Sequence, residues 1–212
     1  MPSKRRSRES ARHDGAATRR RLLDAAVECL IELGVAGTTT LAVQHRAGVS
    51  RGALLHHFPN HAVLLAASVA ELVARNEKAV ALSRLGLHEA GDPLEGAIRA
   101  VAFAASQPAA LAELELWAVA RTDETLRQAV IAAERAARRD LDRVYSELFG
   151  RWSGSEAYDE AISLTLHFIR GLAISENIRT SPQRRDRLIA AWTAAMRPML
   201  EGDSEAGAAR RR

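Results

Sequence analysis

The sequence predicts an all-α protein with two parts, and three observations support this. The chain has 212 residues, 47% of them hydrophobic, which suffices for a small helical module and a larger helical domain. Alanine and leucine dominate, and runs of β-branched residues are few. Apolar residues recur three and four positions apart in several segments, the spacing of an amphipathic helix. We expect an N-terminal three-helix helix-turn-helix domain, residues 18–59, and a C-terminal six-helix domain, residues 60–201.

The chain opens with a polar, basic segment, residues 1–17, which lacks apolar periodicity and is expected to be a flexible arm. The first helix is predicted from about Thr18 to Leu33, with an apolar face that repeats at helical spacing, and Gly34 ends it. Cys29 lies beside that face. Because it is the only cysteine, no intrachain disulfide is possible, and a buried thiol is favoured over a redox sensor.

Residues 38–58 predict two short helices joined by a tight turn. Thr39 or Thr40 can cap the first of them, and Gly48 stops it because glycine enters the left-handed region without steric cost. Ser50 is the next N-cap, and a second helix is expected from Arg51 to about His57, before Pro59. This pattern is typical of a helix-turn-helix, whose second helix can enter the major groove of DNA. Helical hairpins that turn at glycine also occur widely in all-α proteins, so the pattern alone leaves a purely structural role open.

The apolar residues of this segment indicate which faces are buried. Leu41, Val43 and Ala47 are expected to form the inner face of the first short helix. Leu54 and Phe58 lie four residues apart on the second and are expected to face the helix at 18–33.

The series Glu32-Leu-Gly34, Gly37-Thr-Thr-Thr40 and Arg46-Ala-Gly-Val-Ser-Arg-Gly-Ala-Leu-Leu-His-His-Phe-Pro59 resembles the DNA-binding domain of the TetR family of bacterial transcriptional regulators. The resemblance covers roughly residues 18–66, and beyond it extends to architecture and length. It implies a homodimeric repressor that a small effector releases from DNA.

Three positions depart from the family pattern. The family usually has a tyrosine where Leu55 stands and a lysine where His61 stands, and both typically touch DNA phosphates. It usually has an aromatic residue where Val35 stands. These departures concern individual contacts and leave the expected fold unchanged.

The candidate DNA contacts follow from the position of the second short helix. Its N-terminal amides and Ser50 can meet a phosphate, and Arg51 can reach a guanine edge or a phosphate. Gly52 and Ala53 have almost no side chain, which permits a close approach to the bases. The predicted DNA-binding residues are Thr39, Thr40, Gln44, Ser50, Arg51, Gly52, Ala53, Leu55, His56, His57 and His61.

The charge distribution places the positive excess with this segment. Residues 1–60 carry ten Lys and Arg against five Asp and Glu, whereas residues 61–212 carry twenty against twenty-one. A basic surface binds phosphate through counterion release. For residues 4–12 alone, a basic tail exposed to solvent fits equally well.

Other function classes find little support. His45, His56, His57 and His61 suggest a metal site, but His57 and His61 straddle Pro59, and no cysteine or carboxylate lies among them. The chain has no glycine-rich phosphate loop, no Gly-x-Ser-x-Gly turn and no His-Glu-x-x-His motif. We expect no catalytic residues, no metal and no cofactor. No apolar run reaches the ~18 residues of a membrane span, so a cytoplasmic protein is expected.

Glycine, proline and capping residues divide the remaining chain into six predicted helices. Gly91-Asp-Pro93 is a strong helix start, with aspartate as N-cap and proline at the first position. The predicted helices span about 60–85, 93–106, 108–121, 123–149, 155–178 and 182–200. Because the first of them follows the helix-turn-helix without a linker, movement at its far end would reorient the second short helix.

The last two predicted helices are candidates for self-association. Residues 162–174 are apolar nearly all round, so more than one side must be covered. The helix at 182–200 carries Leu188, Ile189, Trp192, Ala195, Met196 and Met199 on one side. We expect these helices from two chains to form a four-helix interface about a twofold axis, as the family resemblance also implies. The tail, residues 202–212, is expected to be disordered.

The sequence supports an effector site only through scattered residues. The candidate ligand-binding residues are Phe103, Trp117, Arg121, His167, Phe168 and Arg170. Each of them also fits a core or interface role, and the low aromatic content argues against an aromatic cage for a cationic ligand. The function predicted is a sequence-specific regulator, a repressor released from a near-palindromic operator by a small-molecule effector. The alternative is a helical adaptor whose helix-turn-helix is structural and contacts proteins.

Overall fold

The computed structural model describes residues 3–83 and 91–202, and within these ranges the chain is helical, without a strand. The predicted all-α class and the three-plus-six arrangement of helices are therefore confirmed. The helices are α1 (Ser3–Gly37), α2 (Thr40–Ala47), α3 (Arg51–His57), α4 (His61–Ser83), α5 (Pro93–Ala105), α6 (Pro108–Ala120), α7 (Glu124–Phe149), α8 (Tyr158–Ile178) and α9 (Pro182–Glu201), and a short 3₁₀ turn (Gly150–Trp152) follows α7.

The chain forms two compact units. The first comprises residues up to Arg75 together with Ala112–Ala136, and the second comprises Asn76–Leu111 together with the residues from Ala137 onward. Helices α4, α6 and α7 therefore contribute residues to both units. The predicted tail at 203–212 and the segment 84–90 lie outside the described residues.

The core of the first unit joins α1 to the helix-turn-helix. Leu22 and Cys29 of α1, Val43 of α2 and Leu54 of α3 pack in one cluster, together with Phe58, and each is almost fully buried. The prediction that Leu54 and Phe58 face α1 is confirmed. Burying a leucine or phenylalanine side chain contributes roughly 1.5–3 kcal/mol, so this small cluster is the main source of stability for two very short helices.

The core of the second unit is larger and draws on α5, α8 and α9. Ile98, Ile169 and Ile189 meet in it with Phe149 from the end of α7. At its margin, Phe168 of α8 stacks on Trp192 of α9, with ring centroids 4.5 Å apart and planes 8° from parallel. The Trp192 indole N–H donates a hydrogen bond to Thr165 Oγ1 at 3.1 Å, so the polar atom of this side chain is satisfied.

Predicted helix starts are confirmed where a capping residue marks them. Asp92 Oδ1 accepts a hydrogen bond from the Leu94 amide at 3.0 Å, and Pro93 is the first helical residue of α5. Asp123 Oδ1 likewise accepts from the Leu126 amide at 2.9 Å at the start of α7.

The structure differs from expectation at several places. Helix α1 begins at Ser3, before the predicted start at Thr18, because helical backbone continues beyond the apolar face that marked the prediction. Leu41, expected on the inner face of α2, is 60% exposed, because α2 turns Val43 towards α1 instead. Ala195, expected on the packed side of α9, is exposed, and Thr193 takes a buried position.

Among the described residues, no helix is long and apolar enough to cross a bilayer. The same residues include no group of three or more His, Cys, Asp or Glu side chains placed to hold a metal ion.

Candidate nucleic-acid interface

Side-chain caps define the ends of both short helices. Thr39 Oγ1 accepts a hydrogen bond from the Ala42 amide at 3.1 Å, so Thr39, rather than Thr40, is the N-cap of α2. Gly48 ends α2 in the left-handed region (φ 62°, ψ 40°), which any other residue would adopt at a steric cost. Ser50 Oγ accepts from the Ala53 amide at 3.2 Å and begins α3. The turn between the helices therefore has a defined geometry.

The outer face of α3 is open to solvent. Arg51, Gly52 and His56 are exposed, while Ala53 and His57 are partly buried. The Ser50 hydroxyl accepts within its cap and keeps its own hydrogen to donate. The start of α3 thus presents the Arg51 guanidinium, the Ser50 hydroxyl and backbone amides. Because Gly52 has no side chain, the backbone here can closely approach a nucleic-acid groove.

Ion pairs hold α2 and α4 against α1, and sequence patterns did not reveal them. Arg46 of α2 hydrogen-bonds the Glu32 carboxylate and lies 3.6 Å from Glu28 Oε2. The hydrogen bond to Glu32 raises the pKa of Arg46, and the reciprocal bond lowers the pKa of Glu32. The carboxylates stand four apart on α1, but nothing in the sequence shows that a residue of α2 reaches both.

A second group of ion pairs joins α1 to α4. Arg20 lies 3.4 Å from both Asp24 Oδ1 and Glu71 Oε1. Arg75 lies 3.3 Å from Asp24 Oδ1 and 3.7 Å from Glu71 Oε1. Each arginine therefore contacts both carboxylates, which links the helix that braces α2 and α3 to the helix that follows them.

Residues 22–68 match the family model described as bacterial regulatory proteins, tetR family. This segment is similar to the DNA-binding domain of the TetR family. The match spans the end of the first helix, the whole helix-turn-helix and the start of α4, so the similarity lies in the part of the chain that carries the predicted DNA contacts.

Relatives and solved structures agree with this assignment. An uncharacterised HTH-type transcriptional regulator of Mycobacterium tuberculosis is 26% identical over 184 residues, which cover 83% of this chain and 91% of the relative. A transcriptional regulator from Rhodococcus sp. Rha1 has the same fold, with a TM-score of 0.61 at 21% identity over 84% of this chain and 95% of that one. The multidrug binding protein EbrR, solved in complex with ethidium, gives a TM-score of 0.56 at 18% identity over 82% of this chain and 97% of that one.

The departures from the TetR pattern have different surroundings. Leu55 is exposed on α3, where it offers no hydrogen bond to a phosphate. His61, at the first position of α4, is occupied within the protein, because its Nε2 lies 2.5 Å from the Thr38 carbonyl oxygen. Since a carbonyl only accepts, Nε2 carries the proton, and the second ring nitrogen remains for another partner. His61 therefore holds the turn before α2 in place.

The remaining predicted DNA contacts lie on the same two helices. His56 and His57 stand edge to face at the end of α3, with ring centroids 5.2 Å apart. Burial, His56 and Arg19 lower the pKa of His57, in that order of size. Thr40 and Gln44 are partly buried on α2. The structure thus places the eleven predicted residues on α2, on α3, at their N-caps and at the first position of α4, and the DNA contact of each stays a prediction.

The six predicted ligand residues are distributed over both units. Trp117 and Arg121 belong to the first unit, whereas Phe103, His167, Phe168 and Arg170 belong to the second. Phe103 is 61% exposed, and His167 is exposed with Nδ1 2.7 Å from the Ser163 carbonyl oxygen. The stack on Trp192 favours the core interpretation of Phe168. The role of these six residues in ligand binding stays a prediction.

Proposed function

We propose that the protein is a homodimeric repressor that binds a near-palindromic operator and leaves it when a small molecule binds. The observation that carries this proposal is the open face at the start of α3, with exposed Arg51 and Gly52 on a helix whose start is capped by Ser50. Two recognition helices about 34–36 Å apart would meet successive major grooves on one side of a duplex. Such a partner would place the protein in the cytoplasm.

Selection from a library of random duplexes at stated salt concentrations tests DNA recognition. We expect enrichment of a near-palindrome, with affinity for the selected duplex at least about a thousandfold above that for random duplex. Affinity for random duplex should fall steeply with salt, because counterion release dominates it. No enrichment, with binding that vanishes as salt rises, would contradict sequence-specific recognition and favour the helical adaptor.

The exposed surface of α8 supports self-association. Leu164, Ile174 and Ile178 are 47%, 49% and 85% exposed, and with His167 and Gly171 they form one stripe at spacings of three and four residues. This stripe contains no Asp, Glu, Lys or Arg. In the same unit, α9 exposes small residues, Ala191, Ala194, Ala195 and Pro198. An uncharged apolar helix face beside a face of small side chains suits close helix packing across a twofold axis.

Two matched substitutions test this interface. Ile174→Glu places a charge in the middle of the α8 stripe, and we expect it to convert dimer to monomer in sedimentation velocity experiments. Ala136→Glu places the same charge on an exposed position of α7 and should leave the dimer intact. Equal sedimentation of both variants and the wild type as dimers would exclude the α8 stripe as the interface.

The effector remains to be identified by its effect on the selected duplex. A small molecule shifts the equilibrium only by its differential affinity for the two forms, so thermal stabilisation of the protein is insufficient evidence. We expect an effector to release the selected duplex and to stabilise the free protein. Ethidium, with which EbrR was solved, is one compound to test. Because ethidium also binds duplex DNA, its binding to the protein is measured without DNA. A chemical library that yields binders but no release would contradict effector control.

A further inference from the structure

Helix α1 is interrupted near its C-terminal end, and a side chain from α6 lies at the interruption. Gly34 has φ 69° and ψ −177°, so its backbone is not helical. The amide of the next residue, Val35, donates a hydrogen bond to Glu115 Oε1 at 3.0 Å. Glu115 lies 80 positions later in the sequence, and both residues belong to the first unit. An amide released by the helix break thus has a carboxylate acceptor from a distant helix.

The glycine and the carboxylate are matched in shape. A Cβ atom at position 34 would lie 2.8 Å from Glu115 Oε2, closer than Cβ atoms approach other heavy atoms, and 3.1 Å from Oε1, so the carboxylate would have to shift. The positive φ of Gly34 also strains any residue with a side chain. Both the backbone conformation and the absence of a side chain therefore let the carboxylate approach the turn.

The same turn leads directly into the helix-turn-helix. Thr38 is fully buried, and its Oγ1 donates to the Gly34 carbonyl oxygen at 2.7 Å. The Thr38 carbonyl accepts from His61 at the start of α4, and the next residue, Thr39, caps α2. Hydrogen bonds at residues 34, 35, 38 and 39 thus connect the carboxylate of α6 to the beginnings of α2 and α4.

We infer that Glu115 is a positioning residue for the recognition helix, and that it couples α6 to DNA binding. Its carboxylate holds the Val35 amide and, through the turn at 34–39, the orientation of α2 and α3. A movement of α6 that withdraws Glu115 removes this acceptor and loosens the turn. This inference rests on the proposed DNA-binding function.

Three variants test the inference with the selected duplex and with random duplex. Glu115→Ala removes the acceptor, whereas Glu115→Gln retains an oxygen that accepts from Val35. Glu134→Ala removes an exposed carboxylate of α7 in the same unit and is the control. All affinities are measured at a temperature at which circular dichroism shows every variant fully folded, so that a loss of global stability does not contribute.

We expect Glu115→Ala to weaken binding to the selected duplex about tenfold, the effect of one lost hydrogen bond to a charged acceptor. Its affinity for random duplex should change less than about twofold, because a loosened recognition helix still meets phosphates. Glu134→Ala should remain within about twofold of the wild type, and Glu115→Gln, which keeps a neutral acceptor, should bind more tightly than Glu115→Ala. Hydrogen exchange in the free protein should accelerate in peptides covering residues 34–47 for Glu115→Ala alone.

Each contrary result has a separate meaning. Wild-type protein that selects no duplex would overturn the proposed function, and this inference with it. Wild-type protein that binds its site, with Glu115→Ala equal to it in affinity and in exchange, would overturn only the role of Glu115. If Glu115→Gln bound the selected duplex as weakly as Glu115→Ala, the hydrogen bond to Val35 would not be the cause of the lost affinity. This result would also overturn the inference.

Discussion

The helix-turn-helix and the second unit reach ordered structure by different means. Helices α2 and α3 have eight and seven residues, too short to be stable alone, and depend on caps, ion pairs and a small shared core. Helices α8 and α9 have 21 and 20 residues and share a large apolar core with α5. The two short helices proposed to bind DNA therefore depend on a few local contacts, each of which a single substitution can remove.

The largest expected effect compares two fully buried phenylalanines, one in each unit. Phe58→Ala and Phe149→Ala should each lower the free energy of unfolding by about 3–5 kcal/mol, through lost burial and the cavity left behind. Because α4, α6 and α7 contribute to both units, we expect both variants to shift the same calorimetric transition. Two transitions, each sensitive to one variant only, would show that the units unfold independently.

The next effect concerns the recognition surface. Arg51→Ala should weaken binding to the selected duplex by about 1–3 kcal/mol if Arg51 contacts a base, with little change in the free energy of unfolding. Arg138→Ala, which removes an exposed guanidinium of α7, is the control. An equal loss on random duplex would identify Arg51 as a phosphate contact instead, because phosphates carry no direct sequence information.

A smaller effect tests the dependence of α3 on its cap. Ser50→Ala removes the acceptor for the Ala53 amide and should lower the free energy of unfolding by about 1 kcal/mol, measured by urea denaturation. Ser181, which precedes α9, makes no capping hydrogen bond through its side chain, so Ser181→Ala should have almost no effect. Similar losses for both serines would contradict the local origin of α3 stability.

The smallest effect is a difference in acid sensitivity. Hydrogen bonds from Arg46 and Arg99 lower the pKa of Glu32 in the first unit and of Asp186 in the second. A lowered carboxyl pKa stabilises the folded state above the ordinary pKa, and this contribution disappears as pH falls through the folded-state value. Glu32→Gln and Asp186→Asn should therefore each flatten the fall in stability below about pH 5. If the free energy of unfolding of both variants fell with pH as in the wild type, these exposed ion pairs would contribute nothing measurable to stability.

Local signals in the sequence predicted most element boundaries. Gly48, Ser50 and Asp92 mark helix ends or starts by their own backbone or side-chain chemistry, which acts within a few residues. The start of α8 is predicted at Ser155 but lies at Tyr158, because residues 153–157 form turns and a bend after the 3₁₀ turn, and no side chain caps the helix at Ala157. Where no residue type marks a boundary, apolar periodicity locates it less well.

The sequence by itself determined the all-α class, the helix-turn-helix and the face of α3 that the solvent meets, because helix periodicity and capping are properties of neighbouring residues. Only the tertiary structure decided that Leu41 is exposed, that Arg46 contacts Glu28 and Glu32, and that Glu115 meets Val35. These features depend on how separate helices pack. A local sequence pattern does not specify a contact between residues 80 positions apart.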